Sequence, residues 1–188
     1  MPPPLHFERP HAALADSYRA LVREFVDRGE PFVPFPLKYA HDDFDAFLRL
    51  LDECRRGVGL AEGFVANSTY WLVREGVDVV AVSNLRHALT DSLRREGGHV
   101  GYGVRPTARG NGYSTAILRH TLDEARALGI ADVLVTCAKE NEPSARAIVR
   151  CGGRLEAEEW IAERAETVQR YWIGLEASGG SPGRPALI

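Results

Sequence analysis

The sequence predicts an α/β fold whose strands run in mixed directions. Stretches with apolar residues at helical spacing alternate with short runs of β-branched and aromatic residues. Both kinds of strand connection occur: tight turns that suit antiparallel hairpins, and helical crossovers that suit parallel pairs. At 188 residues the chain is long enough for one domain with a real core and short for two.

The elements follow in order. Residues 1–10, with four prolines, read as an irregular arm. Residues 11–28 carry Leu14, Tyr18, Leu21, Val22 and Phe25 at helical spacing, and "GEPFVPFP" breaks that helix. A second helix over 41–57 gathers Phe44, Phe47, Leu48 and Leu51 on one face, with Gly57 as its stop. "TYWLVRE" (69–75) and "VDVVAVSNL" (77–85) form a hairpin around Glu75-Gly76. The polar segment "HALTDSLRRE" (87–96) holds one helical turn, and "GGHVGYGV" (97–104) is a glycine-rich third strand. A helix then begins at Tyr113, with Leu118, Leu122 and Ala125 at i, i+4 and i+7 and Gly129 as its cap. "ADVLVTCA" (131–138) is a short buried strand. Residues 141–153 form a helix with Asn141 as N-cap, Pro143 in its first turn and Gly152 as stop. "RLEAEEWIA" (154–162) and "ETVQRYWIGL" (166–175) close the domain as a hairpin. Residues 1–176 therefore read as one domain, and 177–188 as a flexible tail.

Composition narrows the function. Charged residues make up 26% of the chain and the net charge is −3, so the basic excess of a nucleic-acid binder is missing. The three cysteines, Cys54, Cys137 and Cys151, are widely spaced with no CxxC, which argues against disulfides and a zinc site and for reduced thiols. No metal is expected. The first residues lack the apolar core of a signal peptide, and no run reaches the length of a membrane span. A cytoplasmic enzyme or binding protein, with no membrane partner, is the expectation.

The segment "RPTARGNGYS" (105–114) carries the chemistry. It lies between a strand and a helix N-terminus, where the first N–H groups have no intrahelical partner and the helix dipole adds positive potential. Such a place binds anions, phosphate above all. Gly110 and Gly112 let the backbone approach phosphate oxygens, and Arg109 adds a charged fork. A Walker loop needs GxxxxGK[ST], which is absent. A dinucleotide fingerprint fails because its third glycine position is Thr115. A plain glycine turn is the alternative.

The residues here resemble the acetyl-CoA loop of the GNAT family of N-acetyltransferases. That family's signature is Arg or Gln, two residues, Gly, one residue, then Gly or Ala. Arg109, Gly112 and Ser114 stand at those places, Ser114 departing by a hydroxyl. "NEPS" (141–144) followed by "AIVRCGG" resembles the family's Asn-led helix, and the resemblance covers residues 68–175. "NLRHAL", "GGHVGY", "LVTC" and "RYWI" are similar to a bacterial branch of that family with unassigned substrate. The resemblance implies the acyl-CoA N-acyltransferase fold, a mixed sheet split like a V with acetyl-CoA in the cleft, here preceded by the helical pair. It places the pyrophosphate on the backbone of Arg109, Gly110, Asn111, Gly112, Tyr113 and Ser114. It places the pantetheine arm along the strand ending at Val104, with Asn141 bonding the arm or the neighbouring backbone. A homodimer is the expected assembly, because dimers are common in the family.

The catalytic groups are less plain. Relatives often place a Glu or His four or six residues before the position of Val104, and here those residues are Val100 and Gly98. The family's frequent tyrosine acid falls on Ile148. Strand alternation instead turns Tyr102 toward the cleft, where it could donate a proton to sulfur. His87, at the end of the preceding strand, is the expected base, and Glu96 is a weaker alternative. A backbone N–H near Val104 could steady the oxyanion. His99 reads as a buried, satisfied histidine. Arg86 could bind an anionic group on the acceptor or pair with a surface carboxylate. Tyr70 and Trp71 read as core or as acceptor-pocket walls. The expected reaction is acetyl transfer from acetyl-CoA to a primary amine of a small molecule by direct attack. A protein N-terminus is the alternative acceptor. A non-catalytic acyl-CoA sensor and a nucleotide-binding protein are the alternatives of another class.

Overall fold

The computed structural model describes residues 3–175. The expected flexible tail over 177–188 lies outside them. Its centre is a seven-stranded sheet in the order β1-β2-β3-β4-β5-β7-β6, with β1 Leu5–Glu8, β2 Asn67–Arg74, β3 Asp78–Arg86, β4 Val100–Val104, β5 Asp132–Ala138, β6 Arg154–Ile161 and β7 Glu166–Gly174. Only β4 and β5 pair in parallel; the other neighbours are antiparallel. The V-split mixed sheet expected from the sequence is therefore the architecture found.

One expectation is corrected. The first ten residues are not an irregular arm throughout, because Leu5–Glu8 pairs antiparallel with Trp71–Arg74 as the outer strand β1. Four residues between prolines are too short to show a strand period. Pairing with β2 orders them, and Phe7 stacks on Tyr70 with ring centroids 4.9 Å apart.

Helices cover both faces. α1 (Ala15–Asp27) and α2 (Phe44–Arg56) pack Tyr18, Leu21, Phe25, Phe47 and Leu51 against Trp71, Val73 and Val82. Asp43 caps α2 by accepting from the Ala46 N–H at 2.9 Å, and Gly57 ends it in the left-handed conformation. On the other face α4 (Tyr113–Ala127) and α5 (Glu142–Arg150) bring Leu118, Leu122 and Ile148 onto Val133, Val135 and Tyr171. The short helix α3 (Asp91–Glu96), capped by Thr90, accounts for the expected turn between β3 and β4. Glu75 and Gly76 both take positive φ in the β2–β3 hairpin, as that turn requires.

The sheet opens at β4. This strand pairs with β5 only at Val100↔Val135, while its other edge runs against β3 from Val100↔Leu85 to Val104↔Ala81. Just before the split, His99 grips β5 twice. Its N–H donates to the Leu134 carbonyl at 2.7 Å, and its Nδ1 accepts from the Leu134 N–H at 2.9 Å. Gly98 lets the chains come this close, since a Cβ there would lie 2.5 Å from Leu134 O. Beyond the split, the segment joining α1 to α2 lies over β4. A Cβ on Gly103 would sit 2.0 Å from the Val33 carbonyl oxygen.

These two contacts make two predictions. His99 is 7% exposed, and burial, with Arg94 and Arg86 nearby, lowers its pKa from 6.5 to about 4. The folded state thus disfavours the proton that the unfolded chain binds. Stability present above the unfolded pKa should fall as pH drops from 6.5 toward 4, by about 3 kcal/mol at most. Urea unfolding across that range should show the loss in the wild type and a flatter profile in His99→Gln. Gly103→Ala should cost about 1–3 kcal/mol by forcing the α1–α2 segment off β4, read as a lower urea midpoint.

Candidate active site

The split exposes one edge of β4. The Arg86 N–H donates to the His99 carbonyl and the Arg105 N–H to the Val80 carbonyl, which fixes the alternation. Gly101 and Gly103 therefore spend their backbone groups on β3, while those of Tyr102 and Val104 turn toward the gap beside β5. A cavity of about 530 Å³ occupies that gap. Tyr102, Gly103 and Val104 line one side of it, and Arg109, Gly110, Gly112, Tyr113 and Ser114 close one end. Asn141, Ser144 and Arg146 from the start of α5 face it, and Phe25, Glu30 and Val33 form the remaining wall.

The loop before α4 is built for an anion. Gly110 and Gly112 have φ of 84° and 78°, and open space lies where their Cβ atoms would be. Among the described residues, the N–H groups of Gly110, Asn111, Gly112, Tyr113 and Ser114 find no protein acceptor; the first bonded N–H is that of Thr115, to the Gly112 carbonyl at 3.1 Å. These donors sit at the positive end of a fifteen-residue helix. Asn111 works on the loop itself: its Nδ2 donates to the Ala108 and Arg109 carbonyls at 3.0 and 3.2 Å, and its side chain does not line the cavity.

Charged contacts anchor the entry to that loop. Arg105 bridges Glu24 of α1 and Asp78 of β3, both at 2.6 Å, and Thr107 donates its N–H to Glu24 at 3.0 Å. Burial would raise the Glu24 pKa, but the bonds from Arg105 and Thr107 outweigh it and hold it low. Arg109 lies over the Phe25 ring, 5.7 Å from its centre, and its Nη1 donates to Glu30 Oε1 at 3.0 Å. That bond keeps the Glu30 pKa below its ordinary value. A phosphate would meet an arginine already aimed along the cavity wall.

The other expected residues fall in different places. Asn141 caps α5 through Oδ1, which accepts from the Ser144 N–H at 3.2 Å, while the residue also lines the cavity; the N-cap and ligand readings are compatible. The Tyr102 hydroxyl lies 2.8 Å from Ser144 Oγ. Burial pushes its pKa above the ordinary phenol value, the Ser144 bond opposing, so the phenol stays protonated near neutral pH. Ser144 is the polar partner that sequence reasoning missed; its place in the "NEPS" motif was the available signal. The structure does not bring His87 to this cavity. Its Nε2 pairs with Ser68 Oγ at 2.9 Å, and His87 is absent from the cavity lining. Burial and the Arg55 charge lower its pKa. Glu96 meets Arg164 at 3.8 Å. Trp71 is fully buried in the core, Tyr70 donates to Glu124 at 2.9 Å, and Ile148 is buried.

A site with five free amides and a strand edge suits an extended ligand that ends in a diphosphate. Among the described residues no cluster of His, Cys, Asp or Glu could hold a metal ion, and no helix is long and apolar enough to cross a membrane. Solved structures share the fold. RimL, a ribosomal L7/L12 alpha-N-protein acetyltransferase in complex with coenzyme A, is similar over 93% of this chain and 96% of its own, with a TM-score of 0.69 and 15% identity. yncA from Salmonella typhimurium, with its cofactor acetyl-CoA, covers 96% and 99% at a TM-score of 0.60 and 15% identity. Spermidine N-acetyltransferase from Vibrio cholerae, in a dodecameric structure, covers 93% and 98% at a TM-score of 0.60 and 14% identity. No curated protein is a significant match. The family model of the acetyltransferase (GNAT) domain matches residues 7–154. This chain therefore belongs to the GNAT acetyltransferases, enzymes that take their acetyl group from acetyl-CoA.

Proposed function

We propose that the enzyme acetylates a primary amine of a small molecule by direct attack within a ternary complex. The observation that carries this reading is the single cavity in which free amides at one end meet an unpaired strand edge and the Tyr102–Ser144 hydroxyl pair. Acetyl-CoA fits that set of groups and supplies an acyl group activated as a thioester.

Each residue then has a task. The N–H groups of Gly110 to Ser114 hold the diphosphate, with Arg109 beside them. The outward backbone groups of Tyr102 and Val104 receive the amide-bearing arm as an added strand would be received. Asn141 presents its Nδ2 to the same arm while its Oδ1 caps the helix. A backbone N–H of β4 steadies the charge that develops on the carbonyl oxygen. The Tyr102 hydroxyl, oriented by Ser144, gives its proton to the departing sulfur. We assign no base to His87, which does not line the cavity. Glu30, held ionised by Arg109, is a weak base. The acceptor reacts as its neutral fraction, and positioning supplies most of the rate.

Acetyl-CoA binding tests the loop. Arg109→Ala and Gly112→Asp should each weaken it about tenfold or more, about 1.4 kcal/mol, by calorimetry; unchanged affinity in both contradicts the assignment. Tyr102→Phe should lower kcat about tenfold with little change in the KM for acetyl-CoA. His87→Ala should leave both kcat and the pH profile of the rate as they are. Release of coenzyme A with an amine panel separates an enzyme from an acyl-CoA sensor, which would bind acetyl-CoA and release none.

A further inference from the structure

A second cavity of about 190 Å³ lies where β3 ends, on the face covered by α1 and α2. Phe35, Tyr39 and Phe64 form its wall, Leu93 of α3 its lip, and Asn84 and Arg86 its floor. The two cavities share the α1–α2 connection. Residues 30–33 bound the first, 35 and 36 bound the second, and Pro34 between them packs over Gly101, whose Cβ would lie 3.4 Å from Pro34 Cβ. Strand β4 runs from one cavity toward the other, because Val104 lines the first and Gly101 pairs with Asn84 in the second.

The charge in this second cavity is one-sided. Arg86 is largely buried, and its Nη1 donates to the Gly97 and Gly98 carbonyls at 3.0 Å each. Among the described residues no carboxylate pairs with it, and no Asp or Glu lines the cavity. Burial lowers its pKa with no acid nearby to oppose the effect. Exposed Lys38 lies over one of the lining rings, its Nζ 5.2 Å from the centre of Phe35. Asn84 and Asn67 cannot supply a counter-charge, and the Asn84 Nδ2 is already committed to Asn67 Oδ1 at 2.7 Å and Thr69 Oγ1 at 3.2 Å. Phe35 and Phe64, edge to face at 5.4 Å and both partly open to solvent, leave an apolar mouth.

A buried cation without a carboxylate is costly unless something anionic comes to it. A polyamine brings several cations and would find none of the acidic groups it needs. A peptide N-terminus brings an amide where an amino acid has a carboxylate. A cavity this small suits one side chain with its headgroup rather than a drug-sized molecule. We propose, resting on the acetyltransferase reading above, that this cavity holds the acceptor, and that the acceptor is an amine of amino-acid size carrying both a carboxylate, bound by Arg86, and an apolar or aromatic side chain, bound by Phe35, Tyr39 and Phe64.

Matched acceptor pairs test this. L-phenylalanine against L-phenylalaninamide, and L-methionine against L-methioninamide, differ only in the carboxylate, and spermidine serves as the cationic comparison. The amides have the more readily deprotonated amine, so chemistry alone favours them. The expected result is a kcat/KM at least about tenfold higher for each carboxylate. Arg86→Gln should bring that ratio to within about twofold of unity while acetyl-CoA affinity holds. Because Arg86 also supports the turn at Gly97 and Gly98, Phe64→Glu provides a variant at an exposed position. A carboxylate placed at the mouth should cut the same ratio through repulsion. Equal or better turnover of the amides, or of spermidine, overturns the inference and leaves acetyl transfer standing. A ratio unmoved by both substitutions also overturns it. Failure of every amine to release coenzyme A from bound acetyl-CoA sinks the transferase reading itself, and this inference with it.

Discussion

The site depends on how β4 parts from β5. One paired position, Val100↔Val135, and the two-bond grip of His99 on Leu134 fix where the sheet stops being continuous. From that point the backbone groups of Tyr102 and Val104 have a face with no strand on it. A sheet interior seldom leaves such groups unmatched, since a buried N–H or C=O without a partner costs free energy comparable to a lost hydrogen bond. The gap is kept open by side chains that serve the site. Tyr102 reaches across to Ser144, so the start of α5 stands where further strand pairing would have been. The Nδ1 of His99 can accept from Leu134 only while unprotonated, so the grip ties the shape of the cleft to a neutral imidazole.

Glycines matter here for two different reasons. Gly98 and Gly103 are needed because another backbone comes too close for a Cβ, Leu134 in one case and Val33 in the other. Gly110 and Gly112 are needed because their φ is positive, and nothing crowds them. The first pair assembles the walls of the cleft. The second pair turns consecutive amides toward its end. Substitution at the first pair therefore acts through folding, and at the second, on the proposed reading, through affinity for the coenzyme.

Much of this was legible in the chain. Apolar spacing located α1, α2 and α4, and β-branched runs located the strands, because those patterns record burial directly. The free amides of the Arg109–Ser114 loop and the Asn141 cap were readable because glycine turns at a helix start and helix caps need particular residues at short spacing. What lay beyond reading depended on contacts between distant segments. Strand β1 exists only because β2 offers an edge. Neither the 2.8 Å contact between Tyr102 and Ser144 nor the Glu30 carboxylate on Arg109 leaves a local trace, since 42 and 79 residues separate the partners. His87 shows the same limit. The residue type was right for a base, but its ring pairs with Ser68, 19 residues away in the chain, and does not line the cavity.

On the reading proposed above, the two cavities divide the demands of acyl transfer along one strand, both reaching the α1–α2 connection. The carrier would be met by a helix N-terminus, a glycine loop and an outward strand edge, groups suited to the backbone-like and phosphate parts common to every acyl-CoA. That half can stay the same whatever the acceptor is. The proposed acceptor cavity is formed instead by the α1–α2 connection and the end of β3, side-chain surfaces set by Phe35, Tyr39, Asn84 and Arg86. Pro34, packed on Gly101, lies in sequence between the α1–α2 residues that line the two cavities. A change of acceptor could then come from the α1–α2 segment alone, without touching the free amides that lead into α4. On the proposed reading, selectivity is a property of what lies over β4, and the charge at Arg86, held by the Gly97 and Gly98 carbonyls at the second cavity, would set it in this chain.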